Sequence, residues 1–368
     1  MTAKQLPKYE LFIHPRDLMD LKMDIWNDEP VDGRLGIDGR REHILVGYRG
    51  SHIRKFKKKS YFIQLHNSRQ KKTVREFHLN SEYMDKSLMR NKLSFDFFSA
   101  IGVLAPSSEH INLYLNGKNQ GIYLRLESVD DMYLKNRSLP EGSIFYAVDD
   151  DANFSLIGSF EDGPKRSLQQ GYTQKCGKKA DWQSLEDFIF IINNPDQALF
   201  EEELERILDT EKYLKWLAGV VCTQNYDGFV HNYSLYLNGL TNQFEIMPWD
   251  YDATWGRNIH GEKMGYDVVP FQGFNTLSAR MLDCPQYQEM YTEIMKEILD
   301  EAFTPEFMEP QIIQLYNHLA PFVLEDPYLK NELSKFKQEP DYILSFIKKR
   351  NRFLRGDMDK WLSQIGKR

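Results

Sequence analysis

Residues 223–256 read TQNYDGFVHNYSLYLNGLTNQFEIMPWDYDATWG. The stretch begins at the end of a predicted buried helix and places Asp227, Asn232 and Asp250 after that helix. Phosphoryl transfer needs one carboxylate for the substrate hydroxyl proton, a second carboxylate for Mg²⁺, and an amide oxygen that completes the metal shell. These residues supply the three groups in that order. The alternative is that both aspartates only cap turns.

Two short runs of β-favouring residues follow Asn232. They are Ser234–Leu237 and Gln243–Met247, and they flank Asn238-Gly239, a dipeptide that favours the turn of a β-hairpin. The hairpin would return the chain to Asp250. Protein kinases have the same order: a D-x-x-x-x-N spacing, a strand pair, and then the metal-binding aspartate. The combination predicts such a site more specifically than the spacing alone.

The neighbours of these residues have more than one interpretation. Asp252 is either a second metal ligand or an acceptor in a turn. His231 either orients the loop through its ring nitrogens or packs within it. Three aromatic side chains are expected in the core or in a cleft wall, namely Trp249, Tyr251 and Trp255.

A basic segment lies upstream at residues 47–61, with the sequence GYRGSHIRKFKKKSY. It predicts a strand, a glycine-containing turn and a second strand. In kinases a loop of this kind covers the phosphates of ATP. Gly50 lets the backbone approach an anion closely, and Ser51 and the backbone N–H groups can donate to it. We therefore expect Arg49, Gly50 and Ser51 to bind ATP.

A lysine on the strand after this turn is expected to pair with the phosphates. Lys59 is the candidate, and Lys58 is the alternative because a slip of one residue reverses the face of a strand. The segment has neither G-x-G-x-x-G nor a Walker A motif, so it is not an ordinary kinase loop. A solvated basic loop is the structural alternative. The overall acidity and the absence of a known nucleic-acid module argue against nucleic-acid binding.

Residues 120–134, QGIYLRLESVDDMYL, predict a strand that leads directly into an acidic helix start. In a two-lobed kinase the hinge that contacts adenine is expected here. Glu127 either accepts a hydrogen bond from the adenine amine, pairs with a lysine, or caps the helix. It is therefore included among the ATP-binding candidates.

The pattern changes from strands to helices along the chain. Short β-favouring runs and the Asn116-Gly117 turn predict strands up to about residue 125, with a helix at 87–100 between them. Amphipathic helices predominate from about residue 180. We therefore predict an α+β, two-lobed fold with a strand-rich N-lobe at 1–130 and a helix-rich C-lobe at 131–368.

Length and composition limit the class of protein. The 368 residues are 41% hydrophobic and 13% aromatic, enough for a sizeable core. No run of about 18 apolar residues occurs, so no membrane-spanning helix is expected. The three cysteines are widely separated and predict neither a disulfide framework nor a zinc site.

The charge is distributed unevenly. Residues 1–100 carry 20 Lys and Arg and 13 Asp and Glu, whereas the remaining residues carry 27 and 41. A basic first part suits an anionic cofactor, and an acidic second part suits a cationic partner. The alternative is that the charge serves only solubility.

Six stretches carry a resemblance to a known family over nearly the full chain. They are GYRGSHIRKFKKKSY, MRNKLSFDFFSAIGV, GIYLRLESVDDMYL, IFYAVDDDANFS, TQNYDGFVHNYSLYLN and PWDYDATWGR. These stretches resemble the CotH family, bacterial spore-coat proteins that are atypical protein kinases.

The resemblance implies a kinase-like fold that binds ATP and Mg²⁺ and phosphorylates serines in Ser/Lys-rich coat proteins. It implies Asp227 as the catalytic carboxylate and Asp250 as the metal ligand, and a location in the mother-cell cytoplasm and then the spore coat. Asn225-Tyr226-Asp227 replaces the H-R-D triplet of ordinary kinases, and Asp250-Tyr251-Asp252 replaces D-F-G. The usual activation-loop and A-P-E signals are absent as well, so we expect no activation-loop switch.

Three other functions remain as alternatives. A small-molecule phosphotransferase or a nucleotidyl transferase on the same fold would use the same Asp–Asn–Asp set. A non-catalytic coat scaffold would not depend on ATP. The presence of all three site residues argues against the scaffold, which has no physical need for them. Neither a nucleic acid nor a membrane is expected as a partner.

Overall fold

The computed structural model describes residues 5–66, 76–159 and 163–365. The chain divides into two compact units. The first unit combines Met1–Lys92, Pro106–Ser128 and Gln311–Asp341, and the second combines Leu93–Ala105, Val129–Pro310 and Tyr342–Arg368. The predicted division into an ATP-binding part at 1–130 and a catalytic part at 131–368 stays a prediction. Compactness alone assigns no function to either part.

The strands of the first unit form a closed barrel. Within the described residues they are β1 (Lys8–Ile13), β2 (Val31–Ile37), β3 (Arg40–Tyr48), β4 (Tyr61–Leu65), β5 (Glu76–Asn80), β6 (Ser108–Leu115) and β7 (Lys118–Glu127). Their order is β1-β2-β3-β4-β5-β7-β6, and β1 pairs in parallel with β6 to close the ring. Inward-facing apolar side chains such as Leu11, Ile44, Ile63 and Leu113 fill the barrel.

The hairpin of β6 and β7 confirms the predicted turn. Leu115 and Lys118 pair across it, which leaves Asn116 and Gly117 as the two turn residues. Both have positive φ, 47° and 78°. That conformation is required by the tightest hairpin turns and explains the Asn-Gly pair.

A segment from far along the chain is attached to this barrel by one carboxylate. The backbone N–H of Ile122 donates to Asp326 at 2.9 Å, and the N–H of Tyr328 donates to the same side chain at 2.8 Å. Gly121 has φ +81°, and a Cβ there would lie 2.1 Å from the Asp326 carboxylate. Glycine at 121 is therefore needed for the approach.

The second unit contains a four-stranded antiparallel sheet. In the described part of this unit its strands are β8 (Gly142–Ala147), β9 (Tyr172–Cys176), β10 (Tyr233–Asn238) and β11 (Phe244–Pro248), in the order β11-β10-β8-β9. The predicted hairpin around Asn238-Gly239 is β10–β11. Its loop is longer than the tight turn that the dipeptide favours, because Asn238 remains in the strand and its N–H donates to Gln243 O at 3.0 Å.

Helices occupy a large part of the remaining described chain. They are α1 (Pro15–Met23), α2 (Arg90–Ala100), α3 (Asp131–Asn136), α4 (Trp182–Ile192), α5 (Gln197–Ile207), α6 (Thr210–Thr223), α7 (Thr276–Met281), α8 (Pro285–Glu297), α9 (Pro305–Val323) and α10 (Leu333–Ile365). Helix α6 leads to the predicted site. The side chain of Asp209 caps its start by accepting from Lys212 N, and Gln224 ends it in the left-handed conformation.

The predicted α+β class is confirmed. Two details differ from the expectation, since the strand-rich part closes into a barrel and the second unit has a sheet of its own. Both depend on pairing between strands that are distant in sequence, which periodicity does not reveal. The arrangement as two lobes stays a prediction.

Candidate active site

The β10–β11 hairpin brings two of the predicted site residues to the same end of the sheet. Tyr233 pairs with Pro248, and the N–H of Trp249 donates to the carbonyl of Asn232 at 3.0 Å. Asn232 therefore enters the hairpin where Asp250 leaves it. The predicted proximity of these two residues follows from local strand pairing.

Both residues have an uncommon backbone conformation. Asn232 has φ +60° and Asp250 has φ +57°, in the left-handed region that few residues other than glycine adopt. Asn and Asp tolerate this region better than other side chains. Such conformations persist where the surrounding structure enforces them, and they are concentrated at functional sites.

Asp227 lies at the start of a short 3-10 helix, Asp227–Phe229, directly after α6. The side chain of Asn225 supports this turn by accepting a hydrogen bond from Gly228 N at 3.2 Å. Its amide nitrogen also contacts the carbonyl of Asp250 at 3.5 Å. Asn225 thus links the turn that carries Asp227 to the end of the hairpin.

Burial raises the pKa of the Asp227 carboxyl above its usual range, and the negative charges of Asp150 and Asp250 raise this pKa further. His231 opposes them and lowers it. The effect of Asp250 on Asp227 means that the two predicted site carboxylates are close enough to repel each other. A cation bound between them would relieve that repulsion.

Asp150 was not predicted as a site residue. It begins a 3-10 helix, Asp150–Ala152, that follows β8, and its Oδ1 lies 2.7 Å from Nδ1 of His231. The run Asp149-Asp150-Asp151 after a β-strand is the feature of the sequence that could have indicated it. The ring of His231, which belongs to the predicted loop, therefore lies beside Asp150.

The aromatic residues around the site form its support. Tyr251 and Trp255 are fully buried, and Trp249 is nearly so. The indole N–H of Trp255 donates to Ser94 Oγ at 2.9 Å. These residues are core, one of the two predicted places for them. Asp252 is half-buried beside them, and its role as a metal ligand stays a prediction.

In the first unit, the basic segment joins β3 to β4 as predicted, with a 3-10 helix, His52–Lys55, between the strands. Gly50 has φ +77°, and a Cβ there would lie 2.7 Å from the side chain of Ile53. Its carbonyl accepts from the Arg54 guanidinium at 2.6 Å. Gly50 therefore permits a sharp turn whose carbonyl is already bonded to the same segment.

The two candidate lysines have different surroundings. The side chain of Lys58 is 1% exposed, and its Nζ donates to Ile122 O at 2.5 Å and lies 3.4 Å from Asp326. Burial lowers the pKa of Lys58, although Asp326 acts to raise it. Lys59 is only partly buried, and its Nζ donates to the carbonyl of Arg54. Burial also lowers the pKa of Lys59. Lys59 is thus the more accessible of the two.

The other ATP-binding candidates also have contacts within the first unit. The Arg49 side chain donates to the Asn80 amide oxygen, and Ser51 is exposed. The Glu127 carboxylate accepts from the N–H and hydroxyl of Ser107 at 3.0 and 2.9 Å.

The proposed helix cap at Glu127 is wrong. Asp130 caps α3 instead, because its side chain accepts from Met132 N and Tyr133 N. The other two interpretations of Glu127 stay predictions.

Across residues 5–66, 76–159 and 163–365, no three His, Cys, Asp or Glu side chains are grouped in a way that could hold a metal ion. The predicted set of Asp250, Asn232 and Asp252 contains two carboxylates and one amide. This set suits Mg²⁺, which binds proteins through one or two carboxylates and takes its other oxygens from water and phosphate. In that same part of the chain, no helix is both long and apolar enough to cross a membrane.

Comparison with known families assigns the chain. The family model described as CotH kinase protein matches residues 46–354. Because this match covers most of the chain, the protein belongs to the CotH kinase protein family.

Two curated proteins of Bacillus subtilis (strain 168) are similar to it. "Inner spore coat protein H" is 53% identical over 354 residues, which cover 96% of this chain and 98% of that protein. "Inner spore coat protein H-like protein" is 27% identical over 284 residues, which cover 77% of this chain and 81% of that protein.

Two solved structures show a remote likeness. The HipA, HipB and operator DNA complex of Shewanella oneidensis MR-1 has a TM-score of 0.43 at 13% identity, over 98% of this chain and 75% of that chain. The Helicobacter pylori proinflammatory kinase CtkA has a TM-score of 0.33 at 7% identity, over 91% of this chain and 95% of that chain. At these TM-scores the likeness carries no further conclusion.

Proposed function

We propose that the protein is an atypical protein kinase that transfers the γ-phosphoryl group of ATP to serine side chains of other proteins. The observation that carries the proposal is the position of Asn232 and Asp250 at one hairpin end, to which Asn225 links the turn that carries Asp227. Membership of the CotH kinase protein family supports it independently.

In the proposed reaction the serine hydroxyl oxygen forms a bond to the γ-phosphorus. The bond from that phosphorus to the bridging oxygen breaks, and ADP leaves with the electron pair. Asp227 accepts the hydroxyl proton. Its raised pKa suits this role, because a carboxylate that is harder to ionise is a stronger base.

Asp250 and Asn232 would hold Mg²⁺, with Asp252 as a further oxygen donor. Bound Mg²⁺ would neutralise charge on the phosphates. The left-handed backbone at Asn232 and Asp250 fixes where their side chains begin, so the chain supplies both donors from defined positions.

The basic segment would contact ATP. We propose that Lys59, not Lys58, pairs with the phosphates, because the Lys58 ammonium is enclosed by Ile122 and Asp326. Arg49, Gly50 and Ser51 would lie along the phosphates. Glu127, whose carboxylate already accepts from Ser107, would lie near the adenine.

The acceptors would be Ser/Lys-rich spore coat proteins, and the protein would act in the mother-cell cytoplasm and then in the spore coat. This part of the proposal is supported by the relative of 53% identity that is called an inner spore coat protein. The acidic balance of residues after 100 suits cationic acceptors.

The test uses purified full-length protein, Mg²⁺, a Ser/Lys-rich coat peptide, and ATP labelled at either the γ or the α phosphate. We expect transfer of the γ label only. Asp227→Ala should slow this transfer by about 10²- to 10⁴-fold, since it removes a proton acceptor used mainly in the transition state. The affinity for ATP should be nearly unchanged.

Other results would redirect the assignment. Transfer of the α label would mean nucleotidyl transfer. Transfer of neither label, with ATP bound, would favour a small-molecule acceptor, and the absence of ATP binding would favour a coat scaffold. Full activity of Asp227→Ala would show that Asp227 is not the base.

A further inference from the structure

We infer that Asp150 is a positioning residue for the proposed phosphoryl transfer: it holds the His231 ring, and through that residue it sets the position of the turn that carries Asp227. The inference rests on the proposed function of this site. It concerns a carboxylate outside the Asp227, Asn232 and Asp250 set.

The contacts run in sequence from Asp150 to Asp227. Oδ1 of Asp150 lies 2.7 Å from Nδ1 of His231. The backbone N–H of His231 donates to the carbonyl of Asp227 at 2.9 Å. His231 therefore lies between two carboxylate residues, one of which is the proposed base.

The turn that carries Asp150 is held firmly by its neighbours. The Asp149 side chain accepts from Asp151 N at 3.0 Å, and the Asp151 carboxylate accepts from Ser159 N at 2.6 Å and from Gln170 at 2.7 Å. These bonds satisfy the acids on either side of Asp150, so the middle acid of the run is left to face His231.

The same turn is tied to the hairpin that carries the site. The hydroxyl of Tyr172 donates to the carbonyl of Ala152 at 3.2 Å, and the hydroxyl of Tyr233 donates to it as well. Tyr233 is the first residue of β10 and directly follows Asn232. The position of Asp150 relative to the hairpin is thus determined by buried contacts.

A purely structural role does not account well for the pair. The side chains of Asp150 and His231 are 46% and 25% exposed. Partly exposed polar pairs of this kind contribute little to the stability of a protein. A small effect on stability with a clear effect on the rate is therefore the expected combination for a positioning residue.

The experiment compares Asp150→Asn, His231→Gln and the double variant in the γ-label assay. Asp150→Asn should lower kcat about tenfold, with KM for ATP within about twofold of wild type and nearly the same thermal stability. The double variant should be no slower than His231→Gln alone, because Asp150 acts through that ring. Asp187→Asn, on the exposed face of α4, removes the same charge and should leave kcat unchanged.

A second measurement does not depend on activity. In nucleotide-free protein, the ¹⁵N imidazole resonances of His231, assigned by their loss in His231→Gln, should shift and broaden in Asp150→Asn. They should not change in Asp187→Asn. If Asp150→Asn does not fold, Asp150→Glu takes its place, and its longer side chain should also lower kcat.

Three results would overturn the inference. One is a kcat of Asp150→Asn within twofold of wild type, and another is a double variant in which the two losses multiply. The third is an unchanged His231 spectrum. If wild type itself transfers no label, the proposed function fails instead, and the spectrum alone then decides whether Asp150 holds the ring.

Discussion

The basic segment of the first unit and the acidic surroundings of Asp227 in the second unit differ in how their charges are compensated. In the first unit, two cations of the basic segment are paired with carboxylates of that unit, Lys58 with Asp326 and Arg54 with Asp28. In the second unit, burial and the negative charges of Asp150 and Asp250 raise the pKa of Asp227, and His231 lowers it.

We interpret this difference as one between charges that hold the fold together and charges at the proposed site. A buried pair such as Lys58–Asp326 fixes two distant parts of a unit, and its charges are already compensated. Burial first, and then repulsion from neighbouring acids, raises the pKa of Asp227, and such a group would gain from a bound cation. A basic segment is therefore weaker evidence for a ligand site than a group of acids with mutual repulsion.

The largest expected effect tests the structural side of this comparison. Lys58→Met should reduce the free energy of unfolding by about 3 kcal/mol, because it leaves the Asp326 carboxylate buried without its cation. The matched change Lys59→Met should cost less than about 1 kcal/mol, since Lys59 is partly exposed. Urea unfolding of both variants measures the difference. Equal losses would mean that the enclosure of Lys58 contributes nothing specific.

The next largest effect is expected at the proposed metal ligand Asp250. Asp250→Asn keeps a residue that tolerates positive φ but removes the charge, so the fold should persist while Mg²⁺-dependent ATP binding weakens about 100-fold. Titration with ATP in the presence and absence of Mg²⁺ measures this. The same affinity as wild type in Mg²⁺ would show that Asp250 is not a metal ligand.

A smaller effect compares the response of the two units to acid. Burial lowers the pKa of His110, in the first unit, to about 4 from 6.5, and its Nε2 bonds to Leu88 O at 2.7 Å. The unfolded chain binds a proton at His110 more readily than the folded chain does. The contribution of neutral His110 to the free energy of unfolding is therefore complete above pH 6.5. It is lost as the pH falls towards 4. The raised pKa of Asp227 acts in the opposite direction, since acid neutralises a carboxylate whose charge is disfavoured.

His110→Gln keeps a donor for Leu88 O but cannot take up the proton. We therefore expect wild type to lose about 2 kcal/mol more stability than His110→Gln when the pH falls from 6.5 to 4.5. Denaturant unfolding of both proteins across this range is the measurement. Parallel stability curves would show that His110 does not contribute to acid sensitivity.

The sequence by itself determined the local part of the site. Asn232 and Asp250 flank one hairpin, and their proximity follows from strand pairing between neighbours in the chain. Positions of turns and helices were predictable for the same reason, as the Asn116-Gly117 turn shows.

Only the tertiary structure decided which charged side chains are paired and which repel one another. Lys58 meets a carboxylate 268 residues away, Asp150 meets His231 across 81 residues, and β1 closes the barrel by pairing with β6. Contacts of this kind leave no periodic pattern, because they depend on how separate segments pack and not on the conformation of either one. The sequence therefore indicated the donors of the proposed site, and the folded chain determined which charges surround them.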